Sequence, residues 1–215
     1  MKSYVVVGLG MFGSAVARSL SELGCEVLAM DVRSELVQDI SNAVTHAVVG
    51  DAQDQEILRT LGVRDFDCAI IAIGDDLAAS ILATMNMQEL GVPYIVCKAH
   101  DDQHRRVLEK MGASRVVIPE QENARRLARS LSTPNLLDYI ELSSDYGIVE
   151  APVPAKWCGK SLKELDVRAK YGLNIIAIER DGKVNASLTA DYRFGPGDII
   201  VVLGDAKTIE KVQKL

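Results

Sequence analysis

The feature that most constrains the fold is a glycine pattern that directly follows a short apolar run. Residues 4–7 read YVVV, and residues 8–13 then read GLGMFG, followed by apolar residues at helical spacing. An acidic residue, Asp31, comes twenty-three positions after Gly8 and closes the next apolar run. A GxGxxG pattern between a strand and a helix, with an acid after the second strand, is typical of dinucleotide-binding βαβ units.

Each glycine of this pattern has an expected role. Gly8 allows the tight turn from strand to helix, Gly10 lets the backbone approach a phosphate, and Gly13 lets the helix pack close to the sheet. The phosphate would meet the free N–H groups at the helix N-terminus. The pattern therefore predicts a phosphate-binding turn at the start of the chain.

Apolar runs alternate with helical patterns through the first part of the chain. The alternation predicts an α/β fold with a Rossmann-type, doubly wound parallel sheet. Its six strands are expected at residues 4–7, 26–30, 47–49, 68–73, 94–98 and 115–118. A helix after the sixth strand has no further strand of this sheet to return to, so it is expected to cross over to a partner subunit or a second domain.

The pattern changes near residue 140, where a smaller α+β module is expected. Strands are predicted at residues 146–153, 174–178 and 199–203, with helices at 161–170 and 207–215. The predicted domains are therefore 1–139, which includes the crossover helix, and 140–215.

Composition narrows the class of protein. The net charge is −6, with 13 basic and 19 acidic residues through residue 139 and 11 of each after it, which argues against nucleic acid as a partner. No apolar stretch reaches the roughly 18 residues of a membrane span, and no signal peptide is evident, so a cytoplasmic protein without direct membrane insertion is expected. The four cysteines are scattered without metal-ligand spacing.

Taken together, these segments resemble the regulator-of-potassium-conductance (RCK) family, in particular the cytosolic regulatory subunits of Ktr/Trk-type bacterial potassium uptake systems. Besides the glycine pattern, the resemblance is carried by residues 45–52, 72–74, 107–113, 118–120, 135–142 and 167–172. It implies a Rossmann lobe, a crossover helix and a small C-terminal lobe. It also implies that the protein binds ATP or ADP, or alternatively NAD or NADH, without consuming it.

The resemblance assigns nucleotide-binding roles to residues that match the family motifs. They are Gly8, Gly10, Met11, Phe12 and Gly13 in the phosphate loop, Asp31, Val32 and Arg33 at the ribose, Asp51 and Ala52 at the adenine edge, Gly74 and Asp75 in the loop after the fourth strand, Lys98 and Arg105 over the phosphates, and Glu120 at the phosphates of a neighbouring subunit's nucleotide. Glu120 is expected to act through Mg²⁺ or another divalent cation, because a carboxylate near phosphates needs a cation between them.

One position departs from the family pattern. Close relatives typically carry arginine where this chain has Met11, and methionine supplies neither charge nor a bidentate fork. The choice between ATP, ADP and a nicotinamide dinucleotide is therefore open at this stage.

The resemblance also implies partners and a second ligand. Dimers are expected to assemble into an octameric ring on a membrane potassium-translocating subunit, at the inner face of the cell membrane. In some members the C-terminal lobe binds cyclic di-AMP, and the matching residues here are Arg168, Asn174, Ile175 and Pro196.

Two other functions share the same fingerprint. The first is a nicotinamide-dependent oxidoreductase, for which Tyr94 and Lys98 copy a catalytic spacing, although on a strand they would lie about 13 Å apart. The second is a dinucleotide sensor that acts on another partner.

His100 and His104 could also mark a metal site, but capping of the next helix by Asp101 or Asp102, with exposed imidazoles, is the simpler interpretation.

Overall fold

A computed structural model describes residues 2–132, 138–143, 146–205 and 208. Contacts divide the chain into two units that meet between Pro119 and Glu120. The predicted boundary at 139/140 differs from this division in its treatment of the crossover helix, and it stays a prediction. The helix predicted at 207–215 lies outside the described residues except for residue 208.

The first unit alternates strands and helices as the sequence predicts. Its strands are β1 (Ser3–Val7), β2 (Glu26–Asp31), β3 (His46–Val49), β4 (Cys68–Ile71), β5 (Ile95–Lys98) and β6 (Arg115–Val117). Its helices are α1 (Met11–Glu22), α2 (Ser34–Ile40), α3 (Gln55–Thr60), α4 (Leu77–Glu89) and α5 (Asp102–Lys110). The strands form one parallel sheet in the order β3-β2-β1-β4-β5-β6.

This sheet is covered on both faces. Val5 and Val7 of β1 pack into one buried cluster, whereas Val6 packs into another. Successive side chains of a strand point to opposite faces, so these clusters lie on the two sides of the sheet. The Rossmann-type parallel sheet predicted from the sequence is confirmed.

The second unit begins with helix α6 (Pro119–Ser132) and continues into a sheet. Its strands are β7 (Asp138–Glu141), β8 (Tyr146–Pro152), β9 (Asn174–Arg180), β10 (Lys183–Asn185) and β11 (Ile199–Asp205). They pair antiparallel in the order β10-β9-β11-β8-β7. The smaller α+β lobe is confirmed, although the sequence analysis did not predict β7 and β10.

The helix predicted at residues 161–170 is broken in two. Helix α7 (Leu162–Leu165) and helix α8 (Val167–Tyr171) are separated by Asp166, whose φ of 45° lies in the left-handed region. A non-glycine residue in this conformation interrupts a right-handed helix. The break places Leu165 and Val167 together in the buried cluster of this unit.

A buried carboxylate holds the end of the second unit together. Asp198 has no exposed surface, and Arg180 donates to both of its oxygens, from Nη2 at 2.7 Å. Tyr192 Oη and the Gly195 backbone N–H also donate to Asp198, at 3.1 and 2.9 Å. The hydrogen bonds from Arg180 dominate over burial and lower the pKa of Asp198.

Within the described residues, the structure contains no helix that is both long and apolar enough to cross a bilayer.

We expect Asp198→Asn to lower the free energy of unfolding of the second unit by about 2–3 kcal/mol. This is less than the cost of breaking a fully buried pair, because the Arg180 side chain is 47% exposed. Urea denaturation of the full chain, followed through Trp157 in the core of this unit, measures the change. Asp191→Asn is the matched control, since Asp191 is an exposed acid nearby, and an equal effect of both substitutions would contradict the role of Asp198.

Candidate functional site

The candidate site lies where the carboxyl ends of the parallel strands meet. Strands β1 and β4 are neighbours at the centre of the sheet, and the chain continues from them toward opposite edges. Ligands of doubly wound sheets bind in the crevice at such a switch point. The residues after β1 and β4, at the end of β2 and at the end of β5 therefore define the site.

Gly8 and Gly13 make the turn after β1 possible. Gly8 has a φ of 90°, and a Cβ on it would lie 2.9 Å from the carbonyl carbon of Ala72, after β4. A Cβ on Gly13 would overlap the carbonyl oxygen of Gly8. Both positions thus require glycine because the loop packs against itself and against the β4 end.

Gly10 differs from its two neighbours in the pattern. It has an extended backbone at the start of α1, and a Cβ on it would meet nothing within 4 Å. The fold itself therefore does not require glycine here. Open space in front of this backbone fits the close approach of a phosphate group.

The N-terminus of α1 is suited to an anion. In the described part of the chain, no side chain caps this helix, and its first turn contains no acidic residue. Its first N–H groups carry the positive end of the helix dipole, which favours a phosphate. Met11, the first helical residue, is 95% exposed and adds no charge.

Asp31 closes the loop from the end of β2. One carboxylate oxygen accepts a hydrogen bond from the Leu9 backbone N–H at 2.7 Å, and the other accepts from the Arg33 N–H at 2.9 Å. The Arg33 guanidinium also donates to this carboxylate, with Nε 3.2 Å from Oδ1. Burial by itself would raise the pKa of Asp31, but the bonds from Arg33 and Leu9 outweigh it and lower the pKa.

This arrangement changes how Asp31 can be tested. Asp31 is buried, and its removal would leave the Leu9 N–H without its acceptor as well as removing a partner for a ribose. A loss of binding in Asp31→Ala would therefore combine two effects.

Lys98, Phe12 and Gly74 come together at the open side of the loop. Lys98 Nζ lies 6.0 Å from the centre of the Phe12 ring. A Cβ on Gly74 would lie 3.5 Å from the same nitrogen. The structure thus places one cation beside both the phosphate loop and the loop after β4.

The loop after β3 carries Asp51 and Ala52 and is tied to the sheet. The Gly50 N–H donates to the Asp31 carbonyl at 3.0 Å. Asn86 of α4, which is buried, donates from Nδ2 to the carbonyls of Ala52 and Gln53, at 3.0 and 2.9 Å. The sequence analysis missed Asn86, although an amide inside an otherwise apolar helix is a recognisable signal.

Four further predicted residues lie on other segments of the chain. Val32 is 60% exposed beside Asp31, and Asp75 is exposed in the loop after β4. Arg105 pairs with Asp102 of its own helix, with 3.6 Å between Nη2 and Oδ1. Glu120 belongs to the second unit, in the first turn of α6, and its role at the phosphates stays a prediction.

The residues predicted to bind a second ligand lie on three segments of the second unit. Arg168 is exposed on α8, Asn174 and Ile175 begin β9, and Pro196 is exposed before β11. Their assignment to one site stays a prediction.

The structure also locates the residues behind the oxidoreductase and metal-site alternatives. Tyr94 precedes β5 and Lys98 ends it, so the two residues lie at opposite ends of a strand. Asp101 caps α5, accepting from the N–H groups of Gln103 and His104 at 2.9 and 2.7 Å, as the capping interpretation expects. Both imidazoles were expected to be exposed, and this is wrong for His104, which is only 4% exposed. His104 lies in the first turn of α5, and its Nδ1 accepts a hydrogen bond from the His100 N–H.

Metal-ligating side chains do not converge in the described residues. No group of three or more His, Cys, Asp or Glu side chains there is placed to hold a metal ion. Burial also raises the pKa of both Cys68 and Cys97 to about 11, which keeps these thiols protonated at neutral pH.

Comparison of Gly10→Ala with Gly13→Ala tests this description of the loop. We expect Gly13→Ala to lower the free energy of unfolding by more than about 2 kcal/mol, since its Cβ overlaps the Gly8 carbonyl. Gly10→Ala should change it by less than about 0.5 kcal/mol, since its Cβ meets open space. Thermal unfolding of the nucleotide-free proteins measures both values, and equal destabilisation would contradict the geometry.

Known proteins match this chain along almost its whole length. The TrkA-N domain family matches residues 4–119, and the TrkA-C domain family matches residues 148–215. The chain is 42% identical over 213 residues to Ktr system potassium uptake protein C of Bacillus subtilis, covering 99% of this chain and 96% of that protein. It is 40% identical over 212 residues to Ktr system potassium uptake protein A of the same organism, with the same coverage of both chains.

A solved structure shares the fold. The GsuK channel bound to NAD superposes with a TM-score of 0.68 at 18% identity, covering 99% of this chain and 39% of that one. The two domain matches and the Ktr relatives show that the chain belongs to the TrkA-N/TrkA-C family.

Proposed function

We propose that this protein is a regulatory subunit without enzymatic activity, which binds a nucleotide in its first unit and thereby controls a membrane potassium transporter. The observation that carries the proposal is the phosphate loop: open space at Gly10 faces the uncapped start of α1, with Lys98 beside it. Membership of the family supports a role in potassium uptake, because both Bacillus subtilis relatives are named as potassium uptake proteins.

The nucleotide is proposed to be ATP or ADP, with NAD or NADH as the alternative. All of them carry an adenosine, for which Asp31 and the β3 loop are available, and a diphosphate for the loop and Lys98. Met11 brings no charge to the terminal phosphates, so discrimination between ATP and ADP would rest on other groups. Glu120 is the proposed contributor of a carboxylate to Mg²⁺ or another divalent cation on the phosphates.

Control of transport requires two states of the assembly. A nucleotide shifts the equilibrium between them only by binding one state more tightly than the other. We propose that dimers form a ring, an octamer by analogy with the family, on the cytoplasmic side of a membrane potassium-translocating subunit. Cyclic di-AMP at Arg168, Asn174, Ile175 and Pro196 is a second proposed regulator.

An oxidoreductase is the weaker alternative. Hydride transfer needs an acid or base beside the cofactor, and the Tyr94 and Lys98 pair lies along a strand rather than on one face of a helix. A sensor that acts on another partner shares every feature of the nucleotide site, and only a transport measurement separates it from the proposal.

Replacement of Lys98 tests the nucleotide site. We expect Lys98→Ala to weaken ATP and ADP binding about tenfold, because a charge-assisted hydrogen bond to phosphate is lost. Calorimetric titration of nucleotide-stripped protein with ATP, ADP, NAD⁺ and NADH, with and without Mg²⁺, gives the affinities. Lys110→Ala is the matched control, since Lys110 lies in the last turn of α5, and unchanged affinities in Lys98→Ala would remove Lys98 from the site.

Transport is tested in proteoliposomes that contain a Ktr-type membrane subunit. We expect Rb⁺ uptake to differ at least severalfold between ATP and ADP when the wild-type protein is added. Gly10→Ala, which keeps its fold, should abolish this difference. Tight nucleotide binding without any effect on flux would instead favour a sensor for another partner, and substrate-dependent oxidation of NADH would favour an enzyme.

A further inference from the structure

A small cavity in the second unit is lined by three lysines. It encloses about 170 Å³ between the short 3₁₀ turn Ala155–Trp157 and helices α7 and α8. Its lining residues are Lys156, Trp157, Lys160, Glu164, Leu165, Lys170 and Tyr171. None of them belongs to the nucleotide site or to the four residues assigned to cyclic di-AMP.

The charge around this cavity is locally unbalanced. The second part of the chain has equal numbers of acids and bases, yet residues 156–171 contain five basic side chains and only two acidic ones. Among the described residues, no carboxylate forms an ion pair with Lys156, Lys160 or Lys170. Like charges around one concavity repel each other, and a bound anion would relieve this repulsion.

The carboxylate that lines the cavity is already engaged elsewhere. Glu164 accepts from the Ser161 N–H at 2.7 Å, as part of the capping box of α7. The Arg193 guanidinium donates to both of its oxygens, at 3.1 and 3.3 Å. Hydrogen bonds from Ser161 and Arg193 lower the pKa of Glu164, so its charge is compensated by these partners rather than by the lysines.

The floor of the cavity is apolar and aromatic. The rings of Trp157 and Tyr171 lie 5.8 Å apart, and Leu165 is buried beside them. The cavity therefore combines ammonium groups with aromatic and apolar surface, and it is smaller than the roughly 300–1,000 Å³ typical of drug-sized ligands.

We propose that this cavity binds the phosphate group of a small ligand, held by Lys156, Lys160 and Lys170 against Trp157 and Tyr171. The Lys170 ammonium donates one hydrogen bond to the Glu164 backbone carbonyl at 3.5 Å, and the remaining N–H groups of the three lysines suit the oxygens of a phosphate or pyrophosphate. The volume of about 170 Å³ suits a phosphate or pyrophosphate group rather than a whole dinucleotide. The ligand is either free inorganic phosphate or pyrophosphate, or the phosphate end of a mononucleotide whose ring contacts the aromatic floor.

The chain contains a single tryptophan, so its fluorescence reports directly on this cavity. The full-length Gly10→Ala protein, in which a Cβ obstructs the phosphate loop of the first unit, is stripped of nucleotide and titrated with inorganic phosphate, pyrophosphate or AMP while the emission of Trp157 is followed. Ionic strength is held constant with KCl. We expect a saturable change at concentrations below about 1 mM for at least one of the three anions.

Variants then locate the binding. Lys160→Ala/Lys170→Ala should weaken binding at least tenfold, whereas Lys163→Ala, on α7 but not among the residues that line the cavity, should leave it within twofold. These lysines are exposed, so the variants are expected to fold, which the unperturbed emission and unfolding midpoint verify. Preference for AMP over pyrophosphate would identify the nucleotide as the source of the phosphate.

Two results would overturn the proposal. One is the absence of a saturable change with any of the three anions in a folded protein. The other is an equal loss of binding in Lys163→Ala and Lys160→Ala/Lys170→Ala, which would indicate non-specific attraction by the basic surface. Neither result bears on the nucleotide site in the first unit, which is tested independently through Lys98.

Discussion

The carboxylate of Asp31 is the interaction on which the first unit depends. It joins the end of β2 to the Leu9 N–H in the loop after β1 and to Arg33 at the start of α2. Because the carboxylate is buried and both of its oxygens accept hydrogen bonds from neighbouring segments, it holds the loop in place before any ligand arrives. A preformed loop reduces the ordering cost of binding, which is the usual advantage of preorganisation.

In the second unit, the buried carboxylate of Asp198 connects separate segments in a similar way. Asp198 joins β9 to the start of β11 through Arg180 and accepts from Tyr192 and Gly195 in the intervening loop. Each unit thus contains a buried acid that organises its loops and keeps a lowered pKa. Asp31 differs in that it also lies beside the open phosphate loop, whereas Asp198 has a structural role.

The start of α1 and Lys98 present hydrogen-bond donors at the carboxyl ends of the strands. Gly10 leaves open space in front of the first N–H groups of α1, and Lys98 places a positive charge beside Phe12. Such a site can report the identity of a nucleotide through differences in contact. A difference in contact between two nucleotides can act on a partner only if the assembly has two states that bind them with different affinity. The proposed control of potassium transport depends on such a pair of states.

Local patterns in the sequence were sufficient to predict the order of strands and helices in the first unit, the phosphate loop and Asp31. Strand alternation, helix periodicity and the GxGxxG spacing depend on neighbouring residues, so they can be interpreted without knowledge of the fold. The sequence was less informative in the second unit. There it missed the short edge strands β7 and β10 and the break at Asp166, because short edge strands carry little periodicity and a left-handed aspartate has no distinctive local signal.

Only the tertiary structure decided which distant residues meet. The requirement for glycine at position 8 comes from Ala72, at the end of another strand, and the position of Lys98 over Phe12 depends on the order of strands in the sheet. The contacts of Asn86 with the loop after β3 and the lysine-lined cavity likewise depend on the fold, since their partners come from separate elements. The sequence by itself determined the local elements and the chemistry available to the site, whereas long-range packing decided which of these groups share one crevice.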